Sequence, residues 1–198
     1  MVLIGVLALQ GDFEEHCQKV RSLGGQAIEI RQSEDLQTLL DGIILPGGES
    51  TVQGKLLQDL ALLKPLQDKI KAGLPVLATC AGLILLAERI ENQQGNYLAT
   101  LPVTVRRNAY GRQLGSFYTE LDFSGLGQLP ATFIRAPYIS KVSKGVDILA
   151  EKDGKIVAVR YQNQLGLAFH PEVDGDDSIH AYFLKMCQTY TPQSVSGS

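Results

Sequence analysis

The chain has 198 residues and a formal net charge of -3 at pH 7, long enough to bury a substantial core as one globular unit, with no electrostatic reason to seek nucleic acid or an anionic membrane. Hydrophobic residues make up 44% and charged residues 20%, ordinary values for a soluble fold. The cysteines Cys17, Cys80 and Cys187 are odd in number and widely spaced, with no C-x-x-C. They suggest neither a disulfide framework nor a zinc site, and fit a reducing cytoplasm.

Val2 to Leu9 is apolar, lacks a basic leader and runs into Asp12, Glu14 and Glu15, so it reads as a first buried strand and not a signal peptide. Asp12 to Leu23 follows as a helix stopped by Gly24-Gly25. Ala27 to Ile30 is a short second strand, Ser33 caps a brief helix, and Gly42-Ile43-Ile44-Leu45 is a third strand. After Pro46-Gly47-Gly48-Glu49-Ser50-Thr51 comes helical sequence to Lys71, interrupted near Pro65, with Gly73 as a stop. Leu74 to Ala87 is the longest uncharged apolar run, shorter than the roughly 20 residues a membrane span needs. Its first part suits a strand buried on both faces and Leu83 to Arg89 suits a helix, which forces a sharp turn at Cys80. Strands alternating with helices imply a mainly parallel sheet covered on both faces, with reactive groups at the strand C-terminal ends.

From about Leu101 the rhythm changes to short β segments: Val103 to Arg106, Ser116 to Leu121, Thr132 to Ile134, Val146 to Glu151, Ile156 to Tyr161 and Gln164 to Phe169. This half is expected to be mostly antiparallel, an extension of the parallel sheet. Lys152-Asp153-Gly154-Lys155 and Gln162-Asn163 are turns of a meander that brings His170 to a strand terminus. A last helix spans Asp177 to Tyr190. Residues 1–190 read as a single domain, and Thr191 to Ser198 as a flexible Pro/Ser/Gly tail.

The small-x-nucleophile-x-Gly pattern of Ala78, Cys80 and Gly82 is what a nucleophile elbow requires, since only small neighbours let strand and helix approach closely around a strained residue. A helix N-terminus behind the thiol would favour thiolate. For an isolated cysteine in an apolar run, a small buried hydrophobe is the competing reading. The histidines narrow the choice. His16 adjoins Cys17 on a helix where neighbouring side chains diverge, and reads as a surface position. His180 and Cys187 share a helix face but lie about 10 Å apart along its axis. In Phe169-His170-Pro171-Glu172, Pro171 keeps the backbone extended, so His170 and Glu172 can lie on one side and the carboxylate can orient the imidazole. Thiol, histidine and carboxylate compose the triad of covalent acyl transfer. Backbone N–H groups at Gly48 and Ala81 would supply an oxyanion hole, although a glycine turn with Ser50 as helix N-cap satisfies the same residues. A Walker loop is excluded: Gly48 and Gly54-Lys55 are misspaced and Leu56 replaces the hydroxyl residue.

Pro46-Gly47-Gly48-Glu49-Ser50, Thr79-Cys80-Ala81-Gly82 and Phe169-His170-Pro171-Glu172, in this order, resemble the class I triad glutamine amidotransferases, whose fold is a flavodoxin-like three-layer α/β sandwich. Leu7-Ala8-Leu9-Gln10-Gly11 with Glu15-His16, Arg107-Asn108-Ala109-Tyr110-Gly111-Arg112-Gln113 and Phe133-Ile134-Arg135-Ala136-Pro137 are similar, more narrowly, to the glutaminase subunits of pyridoxal 5'-phosphate synthase, over nearly the whole chain except the tail. The resemblance implies that Cys80, His170 and Glu172 hydrolyse L-glutamine without metal or cofactor and pass ammonia to a separate synthase subunit. It places substrate contacts at Gly48, Glu49, Ser50, Arg107, Ile134 and Arg135, and puts Gln10 and Gly11 at the oxyanion hole and synthase interface. Arg107 or Arg135 would pair the α-carboxylate of glutamine and Glu49 its ammonium. Two rivals share these motifs: a glutaminase serving another acceptor, such as the histidine pathway, and a silent binding module. Val173-Asp174-Gly175-Asp176-Asp177-Ser178 departs from the family pattern and blurs the start of the last helix.

Overall fold

The computed structural model describes residues 1–107 and 115–192. Asn108 to Gln113 of the arginine-containing motif, and residues 193–198 of the tail, lie outside the described residues.

The first half builds strand–helix units, because its apolar runs of four or five residues are punctuated by glycine and by helices with one apolar stripe. In chain order these are β1 (Leu3–Leu7), α1 (Phe13–Ser22), β2 (Gln26–Ile30), a 3-10 turn at Ser33–Gln37, β3 (Gly42–Leu45), α2 (Ser50–Asp59), α3 (Leu63–Lys71), β4 (Val76–Thr79) and α4 (Ala81–Leu86). The second half contributes β5 (Ala87–Ile90), β6 (Leu101–Arg106), β7 (Ser116–Phe123), β8 (Gly127–Ile134), β9 (Tyr138–Val142), β10 (Asp147–Lys152), β11 (Lys155–Tyr161), β12 (Gln164–Leu167), a 3-10 turn at Pro171–Val173 and α5 (Ser178–Gln188). The main sheet has the order β2-β1-β3-β4-β12-β11-β9-β6-β5, with β10 on β11, and β7 and β8 form a separate antiparallel pair. From β2 to β12 the pairings are all parallel, in the doubly wound order whose ligand crevice lies beyond the strand C-termini. The sheet continues antiparallel through β11, β9 and β6 and closes on a parallel β5–β6 pair.

Every residue of β3, β4 and β12 is buried, as a parallel sheet covered on both faces demands, whereas β7 and β8 alternate between exposed and covered residues. The hairpin turn at Asp153 and Gly154 has φ values of 51° and 77°, the left-handed pair that the β10–β11 connection requires.

Three local expectations are corrected, and one strand is added. The helix expected to run to Arg89 stops at Leu86, and Ala87–Ile90 pairs with β6, where Glu88 and Arg89 face solvent. The interruption expected near Pro65 falls at Leu60–Leu62, where Ala61 takes φ 56°. Pro65 sits in the first turn of α3, where the helix asks for no N–H. Glu49, not Ser50, occupies the N-cap of α2, and Ser50 is buried in the first turn. Tyr138–Val142, not expected as a strand, forms one despite Ser140 and Lys141, because it fills the place between β6 and β11 inside the sheet.

Candidate active site

The thiol side of the site is built by backbone. Cys80 N–H donates to the carbonyl of Leu167 at 2.9 Å, so the β4–β12 ladder runs up to the residue at which the chain turns. Cys80 then adopts φ 51° and ψ -103°, a left-handed conformation that costs a non-glycine residue about 1–3 kcal/mol, and α4 begins at the next residue. A side chain on Gly82 would collide with the carbonyl oxygen of Leu45 on β3, which is why glycine stands two residues after the nucleophile. The buried thiol donates to the carbonyl of Ile134 at 3.7 Å, so the end of β8 covers it. As N1 of α4, Ala81 carries a backbone N–H with no acceptor inside the helix. Burial pushes the Cys17 thiol up to about 11 and raises that of Cys187 as well, leaving both as packing groups.

The glycine loop beyond β3 lies alongside. A side chain on Gly47 would strike the His170 ring, and Gly48, at φ 151°, would press on the Gln10 amide. Gln10 laces the loop in place: its Oε1 accepts from Glu49 N–H at 2.8 Å, and its carbonyl accepts from Gln53 Nε2 at 3.0 Å. Asp12 N–H donates to the Gly47 carbonyl at 3.1 Å. Gly11, at φ 95°, has no room for a side chain against that same carbonyl.

The imidazole side is built by polar contacts. His170 N–H donates to the Thr132 carbonyl at 2.8 Å, tying the residue to β8, and Pro171–Val173 tightens into a 3-10 turn that points Glu172 back. His170 Nδ1 and Glu172 Oε1 are 2.5 Å apart, and Asp12 Oδ2 lies 3.5 Å from the same nitrogen. Nε2, on the far side of the ring, is buried and has no hydrogen-bond partner among the described residues. Burial disfavours charge on His170, but Asp12, Cys80 and Glu172 outweigh it and raise its proton affinity well above the ordinary histidine range. Burial likewise raises Glu172, against the pull of His170. The ligand atoms of Asp12, His170 and Glu172 lie within 4.8 Å of one another, but the proton on Nδ1 already joins two of the three, and the cluster is complete as an acid–base unit.

Residues 6–189 match the family described as SNO glutamine amidotransferases. The chain belongs to the SNO glutamine amidotransferase family. It is 61% identical over 181 residues, 91% of each chain, to the pyridoxal 5'-phosphate synthase subunit PdxT of Desulfitobacterium hafniense strain Y51. It is 52% identical over 188 residues, 93% of this chain and 97% of the relative, to the subunit of the same name from Streptococcus pneumoniae strain CGSP14. A crystal structure of a glutamine amidotransferase superposes with a TM-score of 0.89 at 40% identity, covering 94% of this chain and 99% of the other. A putative GMP synthase component from Thermoplasma acidophilum shares the fold at a TM-score of 0.68 and 18% identity, over 96% of each chain.

In this amidotransferase the strand ends bring Cys80, His170, Glu172, Gly48, Gln10, Gly11 and Ile134 together. Ala81 follows the thiol directly. Arg135, at φ 45°, follows Ile134 and donates its N–H to the Gly115 carbonyl at 2.7 Å. Arg107 Nη2 reaches the Tyr97 hydroxyl at 3.5 Å, and its buried Nε has no hydrogen-bond partner among the described residues. Glu49 is exposed at the mouth of α2, with Ser50 behind it. Sequence reasoning missed Asp12, which the turn after β1 aims at Nδ1; a carboxylate two residues beyond Gln10 was the available signal. It also placed His16 on the surface. His16 and His180 are both fully buried, with Nδ1 of one 2.9 Å from Nε2 of the other. The departing Val173–Ser178 stretch is ordered by Lys19 Nζ, which donates to Asp174 O, Asp176 O and Asp177 Oδ1 at 2.6, 3.1 and 2.7 Å.

Proposed function

We propose that this amidotransferase hydrolyses the side-chain amide of L-glutamine to glutamate and ammonia, and delivers the ammonia to the synthase subunit of a pyridoxal 5'-phosphate synthase, the assembly named for its curated relatives. The observation that carries the reading is the strained Cys80 elbow just after β4 beside His170, three residues beyond the end of the adjoining β12 and oriented by Glu172. Two neighbouring parallel strands thereby lead to nucleophile and base beyond their C-terminal ends.

The Cys80 thiol gives its proton to His170 Nε2, and the thiolate attacks the γ-amide carbon. Negative charge gathers on the amide oxygen, where the N–H groups of Gly48 and Ala81 receive it. Collapse breaks the C–N bond as His170 returns a proton to the departing ammonia, leaving a γ-glutamyl thioester. His170 then takes a proton from water, hydroxide displaces the thiolate, and glutamate leaves. Asp12 and Glu172 stabilise the imidazolium in each half of the cycle. Arg107 and Arg135 read the α-carboxylate of glutamine, Glu49 reads its ammonium, and the backbone at Ser50 and Ile134 borders the substrate. Because Gln10 and Gly11 are laced to the glycine loop, a synthase docked there reaches the oxyanion hole directly and gates turnover. Among the described residues no helix is long and apolar enough to cross a membrane. The cysteines are free thiols, which supports a reducing, cytoplasmic setting.

Glutamate release, measured with and without synthase, tests the reading. Turnover should rise on adding synthase and vanish in Cys80→Ala, while that variant keeps its fold and still binds the synthase. Retained hydrolysis in Cys80→Ala would remove the nucleophile assignment.

A further inference from the structure

The triad consumes one of the chain's three histidines; the other two lie directly behind it. Glu172 places Oε1 on His170 and leaves Oε2 buried with no hydrogen-bond partner among the described residues. The group facing Oε2 is His16 Nε2 at 3.5 Å, both side chains being wholly inaccessible to solvent. His16 Nδ1 in turn lies 2.9 Å from His180 Nε2, and Thr79 Oγ1 on β4 lies 3.3 Å from His16 Nε2. Three secondary-structure elements with no sequence proximity, α1, α5 and the Pro171–Val173 turn, thus form one line of polar atoms ending at the reacting ring.

We propose that His16 is a positioning residue of the glutaminase reaction: its Nε2–H holds the far oxygen of Glu172, and His180 behind it locks His16 in the tautomer that can do so. The inference rests on the triad reading above. The tautomer follows from counting protons. With Nε2–H on both rings, His16 donates toward Glu172 and Thr79, His180 donates to His16, and the orphan His180 Nδ1 is a bare acceptor. With Nδ1–H on both rings, the Thr79 hydroxyl can donate to His16 Nε2, but the same lone pair faces a carboxylate and a buried N–H is stranded on His180, the costlier arrangement. Both rings are kept neutral: burial first, then neighbouring cationic groups, hold His16 well below the usual histidine range and His180 down to about 4.

The charged surroundings are few. Glu172 is faced by His170 and Asp12, His16 by His180, His170 and Lys19, and His180 by Lys19 and Asp177. Asp174 Oδ1, beside the turn, accepts from Thr132 at 2.8 Å. A donor at Oε2 lowers the proton affinity of a buried carboxylate. Without it, Glu172 takes up a proton at higher pH and ceases to orient His170.

Two measurements test this. In the full-length chain labelled with nitrogen-15 histidine, the ring nitrogens of His16 and His180 should both report the neutral Nε2–H tautomer and stay unprotonated from about pH 8 to about pH 5. A proton on His16 Nδ1 overturns the proposal, whether or not the chain hydrolyses glutamine, so this arm is independent of the glutaminase reading. In the assembled complex, His16→Phe should lower kcat on the order of 10–100-fold, the range for partners that orient a functional histidine. KM for glutamine should stay within about twofold, and the acidic limb of the kcat/KM profile should move up by about one pH unit. His16→Gln, whose amide can donate to Oε2, should recover part of both changes. His180→Phe should shift the limb in the same direction by less, and it serves if His16→Phe does not fold. An unmoved acidic limb in a folded variant, or equal loss in His16→Gln and His16→Phe, would reduce the pair to packing and sink the idea.

Discussion

On the thiol side of the site, chemistry is positioned by packing and backbone strain: β3, β4 and β12 are buried throughout, and Gly82 sits against the Leu45 carbonyl. On the imidazole side, a few ångströms away, the chain is held by polar groups drawn from α1, α5, β8 and the turn before α1. The contrast follows the demands on each group. A nucleophile needs its atom presented at one point, which a strained corner between a strand and a helix achieves with backbone partners alone. A general base must change its charge and keep its orientation, and that requires carboxylates whose own protons are controlled. The thiol side is therefore expected to respond to volume and φ, the imidazole side to pH.

The sharpest way to break this division is Gly82→Ala. A methyl group there meets backbone, which cannot rotate away, so the variant should lose about 3 kcal/mol of stability, the upper part of the usual overpacking range. Denaturant unfolding of the full chain measures it; a loss within about 0.5 kcal/mol would show that strand and helix are not in forced contact. A second test acts on the other side. His16 and His180 are neutral when folded, whereas in the unfolded chain they titrate near 6.5. As pH falls below 6.5 the unfolded state gains protons that the folded state refuses, so each ring removes up to about 1.4 kcal/mol of stability per pH unit, for His180 until its folded value is reached. His170, raised in the folded state, adds no slope in this window, since its contribution is already complete below 6.5. His180→Phe should flatten the stability curve between pH 6.5 and about 4 relative to the parent chain; parallel curves would mean that the ring is not held neutral. The smallest effect sharpens the account of the elbow. Glycine is ordinarily less stable than alanine, yet at φ 51° Cys80→Gly should exceed Cys80→Ala by about 1 kcal/mol. Calorimetry of the two inactive variants decides the order, and alanine on top would remove the strain.

Much of this was legible from residues alone. Apolar runs such as Gly42-Ile43-Ile44-Leu45 announce buried parallel strands, and Asp153-Gly154 announces its hairpin, because period and turn chemistry are local properties. Ala78-x-Cys80-x-Gly82 and His170-Pro171-Glu172 are also local: the elbow needs small neighbours, and histidine and carboxylate two residues apart do meet, although through a 3-10 turn at Pro171–Val173 and not the extended backbone expected. Element ends were less legible. Nothing local stops α4 at Leu86; the pairing of Ala87–Ile90 with β6 does.

His16 shows the limit most clearly. Its helix neighbours suggested a surface position, since helical periodicity alone does not say which stripe faces the sheet when the polar residue on that stripe has a partner elsewhere. That partner, His180, is separated by 164 positions, and only the stacking of α1 and α5 on one face of the sheet brings the rings together. The sequence by itself determined the chemistry of the site, because a nucleophile on a tight turn and a base beside its carboxylate are requirements of short segments. The tertiary structure decided which groups govern that base, because the partners of buried polar atoms are chosen by layer packing over distances that no local spacing encodes.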